Sequence, residues 1–301
     1  MIIALTDEDK SALAQLCTPP GQPGSGRVRY AAAMHFNRAG QLSDEALEVF
    51  RICSPYDGED PADLLRDRGL AAEIPNAGIP SGTAALRSLL DETDLYLAGL
   101  RGPGIAEARA GVAQWGGGAI RLPDDPPRNG VVERWLKPAL DQLVLSHQAL
   151  SHAISLAAPY LHWITYDGYP PDEIGAEFAR GHAYSSLIGE EGALAAPDWD
   201  LGLFLIAPNV LYRDHRHRAP ELYAPLTGPH GWRFGPDRPL LVRPAHQPVW
   251  NDPFAPHLTK VGPVPFLCLF CWTRDVNAVA EVIAASDWPA LETLRLSGAE
   301  S

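Results

Sequence analysis

The chain has 301 residues, 46% of them hydrophobic, which is enough to bury the core of one large domain or two ordinary ones. Its 37 acidic residues against 24 lysines and arginines give a formal charge of −13. Non-specific attraction to phosphate backbones or anionic lipid is carried by Lys and Arg, so nucleic acid and membrane surfaces are excluded as general partners.

The first eight residues, Met1-Ile2-Ile3-Ala4-Leu5-Thr6-Asp7-Glu8, have no basic region and no long apolar one. No stretch approaches the ~18 uninterrupted apolar residues of a membrane span, and a cytoplasmic location is expected. A helix is predicted over residues 6–17, opened by Thr6 and an acidic first turn, with Leu13, Leu16 and Cys17 at helical spacing. A second opens at Ser43, and a third spans 83–97. The longest periodic segment, 131–157, places Leu136, Leu140, Leu143, Leu150, Ile154 and Leu156 on one buried stripe. His147 and His152 ride on it five residues apart, which is not the i, i+4 spacing of a helical zinc pair, and they read as packing or surface residues. Pro- and Gly-rich pieces at 19–26, 123–127 and 169–172 read as loops.

After about residue 175 the pattern changes. Short apolar strands at 201–207, 240–242 and 266–272 alternate with Pro/Gly turns, the spacing of an antiparallel barrel or sandwich. A short helix is predicted over 276–285. The organisation expected is therefore α+β: an α-helical region 1–165, a β-barrel 166–275, and a C-terminal helix and tail 276–301. The cysteines at 17, 53, 268 and 271 are too sparse for a disulfide framework. Cys268 and Cys271 form a CxxC on a predicted strand, where i and i+3 point to opposite faces, so they read as buried structural residues.

Half of the ten histidines, at 215, 217, 230, 246 and 257, fall within 43 residues. On a strand, His215 and His217 project to one side while Arg216 and Arg218 face the other. Glu221, four residues later across a bend at Pro220, adds a carboxylate. Two imidazoles and a carboxylate make three arms of a first-row transition-metal site. Tyr223, two residues after Glu221, enters the same cavity if that strand is regular. Lowering its ordinary pKa of about 10 to neutrality takes roughly 4 kcal/mol, which a nearby divalent ion can supply.

This spacing resembles the first motif of the cupin family, HxHxxxE followed by six residues and a glycine, here Gly228. Asn209, itself tolerant of positive φ, stands where that motif carries an earlier glycine. The resemblance implies a C-terminal double-stranded β-helix barrel of the cupin type and a further histidine from a later strand. His257, just ahead of a strand able to close the barrel, is favoured over His246, which lies between prolines; His230, beside Gly228-Pro229, reads as a turn residue.

Closer still, the string from His215 to Tyr223, the later Trp232, and the block from His257 to Trp272 resemble the cupin dimethylsulfoniopropionate lyases. Residues 201–208 with Tyr212, and 184–189, extend the resemblance, which covers roughly 130–275. It implies that His215, His217, Glu221 and His257 hold a divalent transition metal (zinc, iron, manganese, cobalt or nickel, the ligands suiting each). It implies that Tyr223 is the base in a β-elimination giving dimethyl sulfide and acrylate. Tyr212, Tyr184, Trp232 and Trp272 are the expected substrate-binding aromatics, able to hold a sulfonium by cation–π contact. The expected partner is thus a small-molecule carboxylate; oligomeric state is open, with a homodimer admitted. The chain departs from the family at Leu258-Thr259-Lys260-Val261 and in an expanded 251–256 loop, changes expected to touch the pocket rim. Two rivals share the ligand set: a cupin dioxygenase, isomerase or lyase of other specificity, and a non-enzymatic small-molecule-binding cupin.

Overall fold

The computed structural model describes residues 7–16, 18–70, 82–123 and 128–297. Thr6 and Cys17, the predicted ends of the first helix, lie outside the described residues, as do 124–127 of the predicted loop. The chain divides into two compact units, Met1–Pro80 and Ser81–Ser301.

The first unit is helical: α1 Asp7–Leu16, α2 Ser25–Arg38, α3 Asp44–Cys53 and α4 Pro61–Asp67. Ser43 caps α3 by accepting the Ala46 N–H, and Asp60 caps α4 directly before Pro61. Their apolar faces close on Leu13, Phe36, Val49, Phe50 and Leu65. Helix α2 begins inside the segment 19–26 that reads as a loop. The Asp57 carboxylate, more than thirty residues away, accepts the Gly24 and Gly26 N–H groups at its start, and local sequence cannot reveal such a cap.

The second unit opens with α5 Gly82–Gly99, α6 Ile105–Trp115, α7 Gly130–Leu143, α8 Gln148–Ala157, α9 Pro171–Ile174 and α10 Ala176–Gly181. The single helix predicted over 131–157 is thus two. Leu143 and Leu150 are seven apart, the spacing of an unbroken stripe, so periodicity hides the turn between them. Ser146 Oγ and the His147 N–H both donate to Leu143 O at the break, satisfying a terminal carbonyl of α7.

Strands follow: β1 His182–Gly189, β2 Leu194–Ala195, β3 Asp200–Ile206, β4 Leu211–Arg216, β5 Glu221–Pro225 and β6 His230–Arg233. Then come β7 Leu241–Arg243, β8 Val249–Asn251, β9 His257–Lys260, β10 Phe266–Trp272 and β11 Glu281–Val282, with α11 Trp288–Thr293 last. One sheet has the order β2-β1-β3-β10-β5-β8 and the other β11-β4-β9-β6-β7. Alternation along β3 and β10 makes the first sheet two-faced. Leu201, Leu203, Leu205, Leu267, Leu269 and Cys271 join the core beneath α5, α7 and α8. Phe204, Ile206, Phe266, Cys268 and Phe270 fill the barrel side. Each fully buried leucine contributes roughly 1.5–3 kcal/mol, so this shared face fastens helices to barrel. Cys268 and Cys271 accordingly sit on opposite faces, both buried and free.

The short helix predicted over 276–285 does not form. Val276 and Asn277 lie in a turn closed by the Ala278 N–H on Asp275 O and tied through Val276 N–H to Asp198 Oδ1, and residues 278–280 lead from it into β11, which pairs with β4. Backbone pairing with the open edge of β4 outweighs the weak helical pattern there. The helix comes later, at α11. Among the described residues no helix is long and apolar enough to cross a membrane.

Candidate metal centre

Strand β4 pairs antiparallel with β9, and the register slips between Tyr212 and His215. This bulge lets Tyr212 and His215, three residues apart, both turn toward the barrel interior. His215 lies opposite His257 in the ladder, and His217 follows one residue after the strand ends. The three buried imidazoles offer ring nitrogens that all lie within 4.8 Å of one another.

Backbone carbonyls decide which nitrogens these are. His215 Nδ1 meets Arg213 O at 2.9 Å, His217 Nδ1 meets Ala219 O at 2.7 Å, and His257 Nδ1 meets Ala255 O at 2.9 Å. A carbonyl can only accept, so each Nδ1 carries a proton and the Nε2 atoms are the ones turned inward. Glu221 Oε2 lies 3.3 Å from His217 Nε2 and 3.3 Å from His257 Nε2. The buried Nε2 atoms of His215 and His257 have no hydrogen-bond partner. Two buried nitrogens without a partner, converging beside a carboxylate that His217 Nε2 also meets, are what a cation would compensate. The donor set, imidazole nitrogen with carboxylate oxygen held by outer hydrogen bonds, fits a divalent transition metal.

The electrostatics agree. Burial, then the neighbouring His257 and His217, pushes His215 well below the usual imidazole range. At His217 burial works against charge, but the Glu221 carboxylate outweighs it and raises that imidazole. Burial alone would raise Glu221, yet contact with His217 and His257 holds it well below the carboxylate range. The site therefore offers an ionised carboxylate beside a neutral His215.

Glu221 is held from two further directions. Trp272 Nε1 donates to Oε1 at 2.7 Å while its indole stacks on His217, and Asn251 Nδ2 donates to Oε2 at 3.0 Å. The sequence reading missed Asn251, which faces Glu221 across β5 and β8; no motif marks it, because the contact is set by sheet register.

Above the site is a cavity of about 340 Å³, onto which Glu221, Tyr223, Tyr212, Tyr184 and Trp272 open. Tyr223 follows Glu221 on the same face of β5, its ring 6.4 Å from that of His257. Burial, then the charge of Glu221, pushes its phenol well above the ordinary value. Tyr212 stacks on His215 at 3.9 Å and shares a 2.7 Å hydrogen bond with the Tyr169 hydroxyl. Trp232 does not line the cavity; buried on β6, it packs against Tyr223 and Phe266. His246 stays away from the histidine cluster, in a loop with φ +66°, bonded to Tyr96 and Ser146. His230 is a buried strand residue rather than a turn residue. The residues 258–261, expected at the rim, are buried. There, Lys260 Nζ donates to Asn209 O and Glu292 O, anchoring α11. Tyr166, Tyr169, Phe178 and Asp200 also line the cavity and were not anticipated; the first three precede the strands, and of them only Tyr169 falls in a segment, 169–172, that reads as a loop.

Comparison with known proteins agrees with this geometry. Residues 122–268 match the dimethylsulfoniopropionate lyase family. Dimethylsulfoniopropionate lyase DddQ of Ruegeria pomeroyi is 26% identical over 167 residues, covering 53% of this chain and 81% of that protein. Putative dimethylsulfoniopropionate lyase DddL of Cereibacter sphaeroides is 28% identical over 153 residues, covering 50% of this chain and 62% of that one. A chain from the crystal structures of the DMSP lyases RdDddP and RnDddQII superposes with a TM-score of 0.50 at 23% identity, over 68% of this chain and all of its own, a likeness of fold. Through residues 122–268, just under half of its length, the chain matches the dimethylsulfoniopropionate lyase family, and over that stretch it is similar to DddQ and DddL.

Proposed function

We propose that this protein is a metal-dependent carbon–sulfur lyase that cleaves dimethylsulfoniopropionate by β-elimination into dimethyl sulfide and acrylate. The carrying observation is the set of Nε2 atoms gathered around Glu221, which itself opens onto a small aromatic cavity whose wall, among the described residues, holds no lysine or arginine. The family of residues 122–268 supports the substrate.

His215, His217, Glu221 and His257 would hold the metal; zinc, iron, manganese, cobalt and nickel all suit these donors. When bound, such an ion supplies Lewis acidity that polarises a substrate carboxylate and steadies the enolate-like charge of the transition state. Tyr223 acts as base. Its phenolate oxygen takes the proton α to the carboxylate, and the C–H electron pair becomes the new C=C bond. The Cβ–S bond breaks with its pair going to sulfur, which leaves as neutral dimethyl sulfide, so no general acid is required. Tyr223 then returns the proton to solvent. Burial and the charge of Glu221 hold its phenol neutral in the bare site, which ties base function to a loaded site. Trp272 and Tyr184, both on the cavity wall, would hold the sulfonium methyl groups by cation–π contact.

The test is headspace detection of dimethyl sulfide after adding dimethylsulfoniopropionate to metal-loaded protein. Sulfide and acrylate should appear in equal amounts. Fully loaded protein that releases neither would overturn the assignment.

A further inference from the structure

Asp200 opens strand β3 and forms part of the cavity wall. In the ladder it lies opposite Trp272, and Trp272 lies opposite Glu221. The two carboxylates therefore stand on neighbours of one strand, with Cα atoms two strand spacings or roughly 10 Å apart. The Trp272 indole sits between them. Ser186 Oγ donates to Asp200 Oδ2 at 3.0 Å, whereas Oδ1 is buried without a hydrogen-bond partner. Gly189 packs against Oδ1 so closely that a Cβ there would lie 2.8 Å from it. Burial pushes the Asp200 carboxyl up to about 7, and its charge in turn helps raise the phenol of Tyr184. Among the described residues, the cavity wall offers no lysine or arginine to compensate it. A half-satisfied carboxylate in a wall shared with Trp272, Tyr184 and Phe270 is costly when the cavity holds no positive charge.

We infer that Asp200 is the countercharge for the cationic end of the substrate, so that the cavity selects short onium carboxylates over their uncharged isosteres. The inference rests on the proposed lyase reading for its orientation, the ligand carboxylate lying at the histidine end and the cation at the Asp200 end. Ring faces hold an onium group by cation–π attraction, and the buried carboxylate adds a full charge that a neutral ligand cannot use. Asp200 is thus a specificity residue that touches the substrate away from the bond that breaks.

The experiment compares two unreactive ligands of the same shape by calorimetry on metal-loaded protein: 3-(trimethylammonio)propionate and its carbon isostere 4,4-dimethylpentanoate. The wild type should bind the ammonium compound at least about tenfold more tightly, the scale set by one buried charge pair. Asp200→Asn, which keeps shape and can still bond Ser186, should lose that preference while its affinity for the neutral ligand stays within about twofold and its metal content is unchanged. A wild type that binds both ligands alike overturns the inference without any variant, as does a preference that survives in Asp200→Asn. Failure to release dimethyl sulfide sinks the proposed reaction and leaves this preference standing; a missing preference in a protein that does release it sinks Asp200 alone.

Discussion

Each of the three central histidines has its proton placed by a carbonyl within two residues of itself. That local device leaves Nε2 free without any help from the rest of the barrel, and it explains why the cluster works as a set. Removing His215 takes away one donor and the ring on which Tyr212 stacks. His215→Ala should lose most of its bound metal by elemental analysis, since an incomplete donor set costs far more than one contact; full retention would remove His215 from the site. Tyr223→Phe separates chemistry from assembly, because Tyr223 touches the cavity but is not among the converging nitrogens. It should retain metal and lose about 10²- to 10⁴-fold in turnover, the usual contribution of a positioned base. Near-normal rates would assign the base elsewhere. At this scale the sequence is informative for residues that follow a fixed spacing, such as His215, His217, Glu221 and Tyr223. It is silent on Asn251 and Asp200, whose roles come from strand neighbours far away in the chain.

Strand β4 is where local pattern and tertiary structure part company. Regular alternation accounts for His215 and His217, but the bulge that also turns Tyr212 inward contains Asp214, whose buried side chain can hold it in place. Its carboxylate accepts Nε and Nη2 of the buried Arg233 on β6 and Nε1 of Trp288 at the start of α11. Removing one partner of a buried ion pair strands the other charge, at a cost of about 3–5 kcal/mol. Arg233→Ala should therefore lower the melting temperature by roughly 10 °C for a unit of this size. The double variant Asp214→Leu/Arg233→Met, which buries no charge, should recover most of the loss. An unchanged melting point in the single variant would show that the pair does not lock the bulge. The elements that could be read in advance, α1, α3, α5, β3 and β10, carry helical periodicity or apolar alternation within their own span, and α3 has its Ser43 cap beside it. The ones misread at 131–157 and 276–285 are decided by a turn hidden within a seven-residue repeat and by an unpaired strand edge.

Across the barrel unit, two buried histidines outside the metal centre lower stability as pH falls. His230 receives the Gly262 N–H on Nδ1, and its Nε2–H reaches Thr227 Oγ1, whose hydroxyl donates to Pro265 O. His182 receives the Tyr166 N–H on Nε2 and donates from Nδ1 to Phe178 O. In both rings the bare nitrogen already faces a donor, so a second proton has no place to go. Burial lowers His230 to about 3 and His182 to about 4. Unfolded histidine takes its proton near 6.5, so below that pH the unfolded chain binds more protons and stability falls as pH falls. The contribution is whole above 6.5 and is lost on descending toward 4 for His182 and 3 for His230. Asp200, raised to about 7, runs in the opposite sense. His230→Gln isolates the effect, because the amide can accept from Gly262 and donate to Thr227 without titrating. In metal-free protein the variant should nearly match the wild type at pH 7 and outlast it in acid. The stability difference should grow by about 1.4 kcal/mol per pH unit between 6.5 and 4. Parallel denaturation curves for the two proteins across that range would mean that His230 carries its proton in the folded barrel after all.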